Sequence, residues 1–150
     1  MSLEKQVMDS LKEAMKAKDD AALRSLRAIK AAILLEKTSG GSGELSEADE
    51  MKILQKLVKQ RKDSIDIFSQ QGRPELAAKE QEEVDVIAKF LPQQLDGDAL
   101  RTELTRIIAE TGASQPSDMG KVMGAATKQL AGKAEGKAIS AMVKELLTAG

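Results

Sequence analysis

The chain has 150 residues, of which 41% are hydrophobic and 31% are charged, and its net charge is −1. This length predicts one domain or two small ones with an aliphatic core, because Phe68 and Phe90 are the only aromatic residues. Cysteine, histidine, tryptophan and tyrosine are absent, which excludes disulfides, thiolate or imidazole chemistry and most stacking of single-stranded bases. We therefore expect no metal ion and no cofactor, and an RNA contact would require a local basic patch.

Two helices are predicted in the N-terminal part of the chain. The first carries an apolar residue at every fourth position, at Leu3, Val7, Leu11 and Met15. The second has apolar residues three or four positions apart, at Ala22, Leu26, Ile29 and Ile33. The stretch TSGGSG, Thr38 to Gly43, predicts a loop between helices, because it has neither the P-loop spacing nor the dinucleotide-binding spacing.

The N-terminal sequence MSLEKQVMDS is charged and has no apolar core, so no signal peptide is predicted. The longest purely apolar run, Ala31 to Leu35, is far shorter than the roughly 20 residues of a membrane-spanning helix. We therefore expect a soluble, cytoplasmic protein without a membrane partner.

A third and a fourth helix are predicted to follow. Ser46 is the expected N-cap of the third helix, because acidic residues fill the next turn. The apolar stripe of this helix contains Leu54, Leu57, Val58, Ile65 and Phe68. The stretch QQGRP predicts a turn, after which the stripe of the fourth helix contains Leu76, Val84, Ile87 and Leu91. Pro92 is expected to end that helix, because the residue before a proline avoids helical geometry.

Three charged residues lie on these two apolar stripes: Arg61 on the third helix, and Glu80 and Glu83 on the fourth. If the helices form a hairpin around Gly72, Arg61 is level with Glu83. We predict a structural ion pair, because burying one charge alone is costly. The alternative, a catalytic carboxylate, lacks a second catalytic group.

A boundary between two domains is predicted at QQLDGD, Gln93 to Asp98, which divides the chain into residues 1–94 and 95–150. Three short helices are expected in the second part, near Asp98–Thr111, Pro116–Leu130 and Glu135–Leu147. No segment has a convincing strand pattern. The predicted fold class is all-α, with about four helices in an N-terminal bundle and three in a small C-terminal domain.

Four glycines stand between Asp118 and Ser140. Gly120 and Gly124 are four residues apart, and we expect them to let another helix approach closely, which would compensate for their low helix propensity. Gly132 is expected to end its helix in left-handed geometry, and Gly136 to lie at the start of the last helix. No glycine lies five residues before a Gly-Lys-Ser/Thr, so a P-loop is excluded.

Four lysines accompany these glycines, with Glu135 as the one acidic residue between Met119 and Lys137. They are Lys121, Lys128, Lys133 and Lys137. They either form a solvated surface or bind RNA phosphates near the start of a helix. A second basic set, offset by acidic neighbours, contains Lys52, Lys56, Lys59 and Lys62.

Three segments together resemble the GatB/YqeY family, and specifically its stand-alone YqeY-like members. They are KQRKDSIDIFSQQGRPELAAKEQEEVDVIAKFLPQQL (Lys59 to Leu95), DMGKVMG (Asp118 to Gly124) and GKAEGKAIS (Gly132 to Ser140). The resemblance implies a helical bundle followed by a three-helix domain. It also shows two departures, since Glu135 stands where the family often has Asp and Phe90 where it often has Tyr.

Related domains form the tail of one component of the tRNA-dependent amidotransferases, and this tail helps to hold the tRNA while catalysis takes place elsewhere. The resemblance therefore implies a non-catalytic module that contacts tRNA or a tRNA-amidation complex, and the lysines at positions 121, 128, 133 and 137 are the candidate contacts. One alternative is an amidotransferase-associated enzyme, a carbon–nitrogen ligase with glutamine as amide donor. Another is a helical protein–protein adaptor without RNA. No catalytic residue stands out.

Overall fold

The computed structural model describes residues 2–39 and 44–149. In these ranges it contains seven α-helices, a 3₁₀ turn at Pro116–Asp118 and no strand. The helices are α1 (Leu3–Ala17), α2 (Asp20–Ser39), α3 (Glu47–Gln70), α4 (Pro74–Ala88), α5 (Gly97–Thr111), α6 (Met119–Gln129) and α7 (Gly136–Ala149). The predicted all-α class is confirmed. Among the described helices, none has the combination of length and apolar character that a membrane crossing requires.

The chain forms two compact units, which we call the N-unit (Met1–Leu91) and the C-unit (Pro92–Gly150). Helices α1 to α4 build the N-unit, and α5 to α7 build the C-unit. Each unit has its own cluster of buried apolar side chains.

The core of the N-unit is aliphatic. Its buried residues are Leu3, Val7, Ala14, Leu26, Ile29, Ile33, Ile53, Leu54, Val58, Val84 and Ile87. Helices α3 and α4 pack together as a hairpin, and Gly72 takes the left-handed conformation at the turn, with φ +70°. The expectation for Met15 is wrong: its side chain is 56% exposed, and Ala14 is buried instead. Three steps of four residues rotate a position by about 120° around a helix, whereas the 11 residues from Leu3 to Ala14 return close to the starting face.

The predicted start of α3 is confirmed. The Ser46 hydroxyl accepts a hydrogen bond from the Asp49 N–H at 3.1 Å, and the Asp49 carboxylate accepts one from the Ser46 N–H at 3.2 Å. This reciprocal pair is a capping box. The bond from the Ser46 N–H is the main reason why the pKa of Asp49 is lowered, and the Ser46 side chain also contributes, because both stabilise the charged carboxylate.

Two predicted helix ends differ from the structure. Helix α2 continues through Thr38 and Ser39, and the rest of the predicted loop, residues 40–43, lies outside the described ranges. Helix α4 ends at Ala88, before Pro92, and the Phe90 N–H then bonds to the Ile87 carbonyl at 3.0 Å. Such i to i−3 bonds tighten the last turn of a helix. The regular helix therefore ends before it reaches the proline.

The C-unit core consists of stripes from α5, α6 and α7 and from the α6–α7 connection. Its buried residues are Leu100, Leu104, Ile107, Val122, Ala126, Leu130, Ala134, Ile139, Val143 and Leu147. Asp96 caps α5 by accepting a hydrogen bond from the Ala99 N–H at 2.8 Å, and Gly112 ends α5 with φ +73°. The spacing of three or four residues along each helix therefore leaves one face of α6 and one of α7 on the surface.

Candidate nucleic-acid interface

The orientation of α6 decides which residues of DMGKVMG are accessible. Val122 and Ala126 are 0% exposed and point into the C-unit core. On the opposite side of the helix, Lys121, Gly124 and Lys128 are exposed. This outward face carries both lysines and the glycines of the motif.

The expectation that Gly120 and Gly124 allow close packing of another helix is wrong. Both residues are exposed, and a Cβ added at either would meet no atom within 4 Å. The physical reason is helical geometry, since Gly120 and Gly124 are each two residues, or about 200°, away from the buried Val122. The low helix propensity of these glycines is therefore not compensated by a contact within the described chain.

The turn between α6 and α7 follows the prediction for its first glycine. Gly132 is buried and has φ +77°, the left-handed geometry expected after a helix end. Gly136 is the first residue of α7 and is exposed, and a Cβ there would also meet open space. Along the sequence, the exposed Lys133 precedes the buried Ala134 and the exposed Lys137 follows it.

Two hydrogen bonds from the start of the C-unit hold this turn in place. The Gln94 Nε2 donates to the Gly132 carbonyl at 2.6 Å, and the Leu95 N–H donates to the Lys133 carbonyl at 2.9 Å. Sequence reasoning missed these contacts and treated QQLDGD as a boundary only. The available signal was the pair of polar residues, Gln93 and Gln94, between the apolar Leu91 and Leu95.

The four lysines, which we call the lysine set, are Lys121, Lys128, Lys133 and Lys137. All four are exposed, and the charge of one of them, Lys121, acts on the carboxylate of Asp118. The two arginines of the C-unit behave differently. Arg101 bonds to Glu145 at 2.7 Å, and Arg106 bonds to Glu103 and Glu110 at 2.8 and 2.6 Å. Each arginine of the C-unit thus has a glutamate partner in an exposed pair, and the lysine set adds accessible positive charge.

Lys144 is a further exposed lysine that sequence reasoning missed. It lies seven residues after Lys137 on α7, two helical turns along the same side. The seven-residue spacing, the same as between Lys121 and Lys128, was the available signal.

Asp118 organises the entry into α6. Its Oδ2 accepts hydrogen bonds from the N–H groups of Ser114 and Gln115 at 3.0 and 3.3 Å. The bond from Ser114 is the main reason why the pKa of Asp118 is lowered, and the charge of Lys121 also contributes. The carboxylate thus fixes the turn that precedes Lys121.

The predicted ion pair of the N-unit is present between Arg61 and Glu83, not Glu80. Arg61 Nε donates to Glu83 Oε1 at 3.1 Å and Nη1 donates to the Leu57 carbonyl at 3.0 Å. The side chains of Arg61 and Glu83 are 15% and 14% exposed. Arg24 of α2 approaches the other oxygen, with its Nε 3.7 Å from Glu83 Oε2. No pattern in the sequence marks Arg24, because its role depends on which helix covers the α3–α4 hairpin.

The four lysines of the second basic set, on α3, are exposed. As expected, acidic neighbours offset part of their positive charge. Lys59 pairs with Asp63 at 3.2 Å. In the described ranges, no group of three acidic residues is placed to hold a metal ion.

A family model described as Yqey-like protein matches residues 4–147. Three similar curated proteins are each named "Altered inheritance of mitochondria protein 41, mitochondrial". The one from Clavispora lusitaniae is 35% identical over 80% of this chain, and the one from Lachancea thermotolerans is 30% identical over 71%. The one from Saccharomyces cerevisiae is 37% identical over 55%. The matches span 69%, 58% and 45% of the length of these relatives, respectively.

Proposed function

The chain belongs to the YqeY-like protein family, and from this premise we propose that it is a non-catalytic helical module that contacts tRNA, alone or within a tRNA-amidation complex. The observation that carries the proposal is the lysine set, whose four side chains are all exposed in the C-unit. The proposed site of action is the cytoplasm, whereas the yeast relatives are named as mitochondrial proteins.

Electrostatics supports a local mode of binding. With a net charge of −1, the whole chain exerts little long-range attraction on a polyanion. Lysines that are not neutralised by neighbours can instead displace the counterions condensed on RNA phosphates, and the entropy of their release drives binding. The affinity should therefore depend on the lysine set more than on the rest of the surface.

The test is a titration of folded tRNA at several salt concentrations. Four phosphate contacts give a slope of about −3 in a plot of log affinity against log salt, which corresponds to a roughly 60-fold loss between about 50 and 200 mM salt. Replacing Lys121 and Lys128 together by Glu should weaken binding at low salt and flatten the slope.

A matched control makes the same change in the N-unit. Lys5 and Lys12 are also exposed and seven residues apart on one helix, so Lys5→Glu with Lys12→Glu alters the net charge and the spacing identically. Circular dichroism should show intact helicity for both double variants. Equal tRNA affinity of the two variants, or no binding by the parent protein at low salt, would reject the proposal.

Two further assays distinguish the alternatives. Amide transfer from glutamine by the purified chain would support the enzyme alternative. Recovery of the protein from cells with a protein partner but without RNA would support the adaptor.

A further inference from the structure

We infer that the lysine set binds the sugar–phosphate backbone of double-helical RNA and contacts no base edges. The inference rests on the proposed function and specifies the class of RNA structure that the site accepts. Three features of the C-unit support it: the chemistry of its accessible cations, its lack of aromatic side chains, and the bare outward face of α6.

The accessible lysines are suited to the phosphates of double-helical RNA. Arginine and lysine can both contact base edges in an open groove, but side chains cannot read the deep, narrow major groove of A-form RNA. Arg106 is engaged by two glutamates and by Gln129 Oε1 at 2.9 Å, and Arg101 is engaged by Glu145 through one of its N–H groups. The lysine set provides compact point charges instead, which attract phosphates irrespective of sequence.

The C-unit offers no platform for unpaired bases. Proteins that bind single strands stack successive bases on aromatic side chains or on arginine planes. Both phenylalanines of the chain, Phe68 and Phe90, belong to the N-unit, so residues 92–150 contain no aromatic ring. Double-helical RNA keeps its bases stacked internally and is recognised through its shape, its phosphates and its 2′-hydroxyl groups.

The outward face of α6 leaves room for a backbone to approach. Lys121 and Lys128 are separated by about 10.5 Å along the helix axis, and Gly124 lies between them. Gly120 and Gly124 are exposed and open, so the surface beside the two lysines is the helix backbone itself. An RNA strand can lie against this surface while the ammonium groups reach its phosphates. The glycines then serve an intermolecular contact, consistent with the space around them in the free chain.

The first experiment compares three RNAs of similar length at one low salt concentration: a folded tRNA transcript, a fully paired RNA hairpin of unrelated sequence, and oligouridylate. We expect the hairpin to bind within about threefold of the tRNA with the same salt slope, and the oligouridylate roughly tenfold more weakly. Preference for tRNA over the hairpin by tenfold or more, or binding of oligouridylate equal to that of the hairpin, would overturn the inference and leave the proposed function standing. Failure of all three RNAs to bind would overturn both.

The second experiment tests the face of α6 with Gly124→Leu. Because the position is open, the variant should fold with full helicity, yet it should bind the hairpin about tenfold more weakly, since the added side chain holds the backbone away from Lys121 and Lys128. The control is Ala31→Leu, the introduction of leucine at an exposed position of α2. Unchanged hairpin affinity of Gly124→Leu would show that RNA does not approach this face.

Discussion

At the scale of single residues, Gly124 and Gly112 are similarly open but differ in backbone conformation. Gly124→Ala should raise the free energy of unfolding of the C-unit by up to about 1 kcal/mol, because alanine is the better helix former and its Cβ meets no atom within 4 Å. Gly112→Ala should lower it by about 1–2 kcal/mol, because Gly112 has φ +73° and alanine is strained there. Urea denaturation followed by circular dichroism measures both. A loss of stability in both variants would show that α6 does not present Gly124 to open space.

The ion pair of Arg61 is the second test at this scale. Arg61→Ala leaves the largely buried Glu83 carboxylate with the more distant Arg24, and should cost about 2–3 kcal/mol of unfolding free energy. Arg73→Ala breaks an exposed pair with Glu75 and should change stability by no more than about 1 kcal/mol. The comparison of the two denaturation midpoints isolates the effect of burial. Equal midpoints would mean that the Arg61–Glu83 pair contributes no more than a surface pair.

At the scale of secondary-structure elements, the 3₁₀ turn before α6 should make the stability of the C-unit depend on pH. The pKa of Asp118 is lowered in the folded state, mainly by its hydrogen bond from Ser114, so the folded state favours the carboxylate. This contribution is fully present above the ordinary aspartate pKa of about 3.9 and is lost as the pH falls through the lower folded value.

The corresponding variant is Asp118→Asn. It should be less stable than the parent near neutral pH, and the difference should shrink as the parent carboxylate becomes protonated below about pH 4. Urea midpoints of both proteins across the acidic range measure this convergence. If the difference between the two urea midpoints stays constant until Asp118 is fully protonated, the charged carboxylate does not stabilise the C-unit.

Elements fixed by local chemistry were predictable from the sequence. The cap at Ser46 requires only a hydroxyl residue and an acidic residue three positions later, and Gly132 requires only its place after a helical pattern. The role of Gly120 and Gly124 was not predictable from their spacing, since spacing shows that two residues share a face but not whether that face is buried. Val122 and Ala126 occupy the buried side of α6, so the two glycines face outward. The spacing of the glycines does not show this, because it depends on how the whole core packs.

Contacts between residues far apart in the sequence were even harder to predict. Arg61 and Glu83 were paired correctly because they lie on consecutive helices joined by a short turn. Gln94 and Gly132 are 38 residues apart, and Arg24 reaches Glu83 from a different helix of the bundle. The candidate lysines were found from their positions in the sequence, but their exposure depends on which faces of α6 and α7 the core buries.

At the scale of the whole molecule, each unit has its own core, so we predict that residues 92–150 fold without the rest of the chain. A unit of about 60 residues buries only a modest share of its surface and should be marginally stable. The fragment should show a helical spectrum and one cooperative urea transition. A matched fragment that begins at Asp96 keeps the cap of α5 but lacks Gln94 and Leu95, and it should have a lower midpoint, because the turn that carries Lys133 loses two hydrogen bonds. Equal midpoints would show that these bonds do not stabilise the unit.

The near absence of aromatic residues in the chain also has a spectroscopic consequence. Because the chain contains neither tryptophan nor tyrosine, it contributes almost nothing to near-ultraviolet absorption or to intrinsic fluorescence. The optical signal of bound RNA can therefore be followed with hardly any protein background. A single tryptophan introduced into either unit would be the sole emitter in the molecule, and it would report on that unit alone.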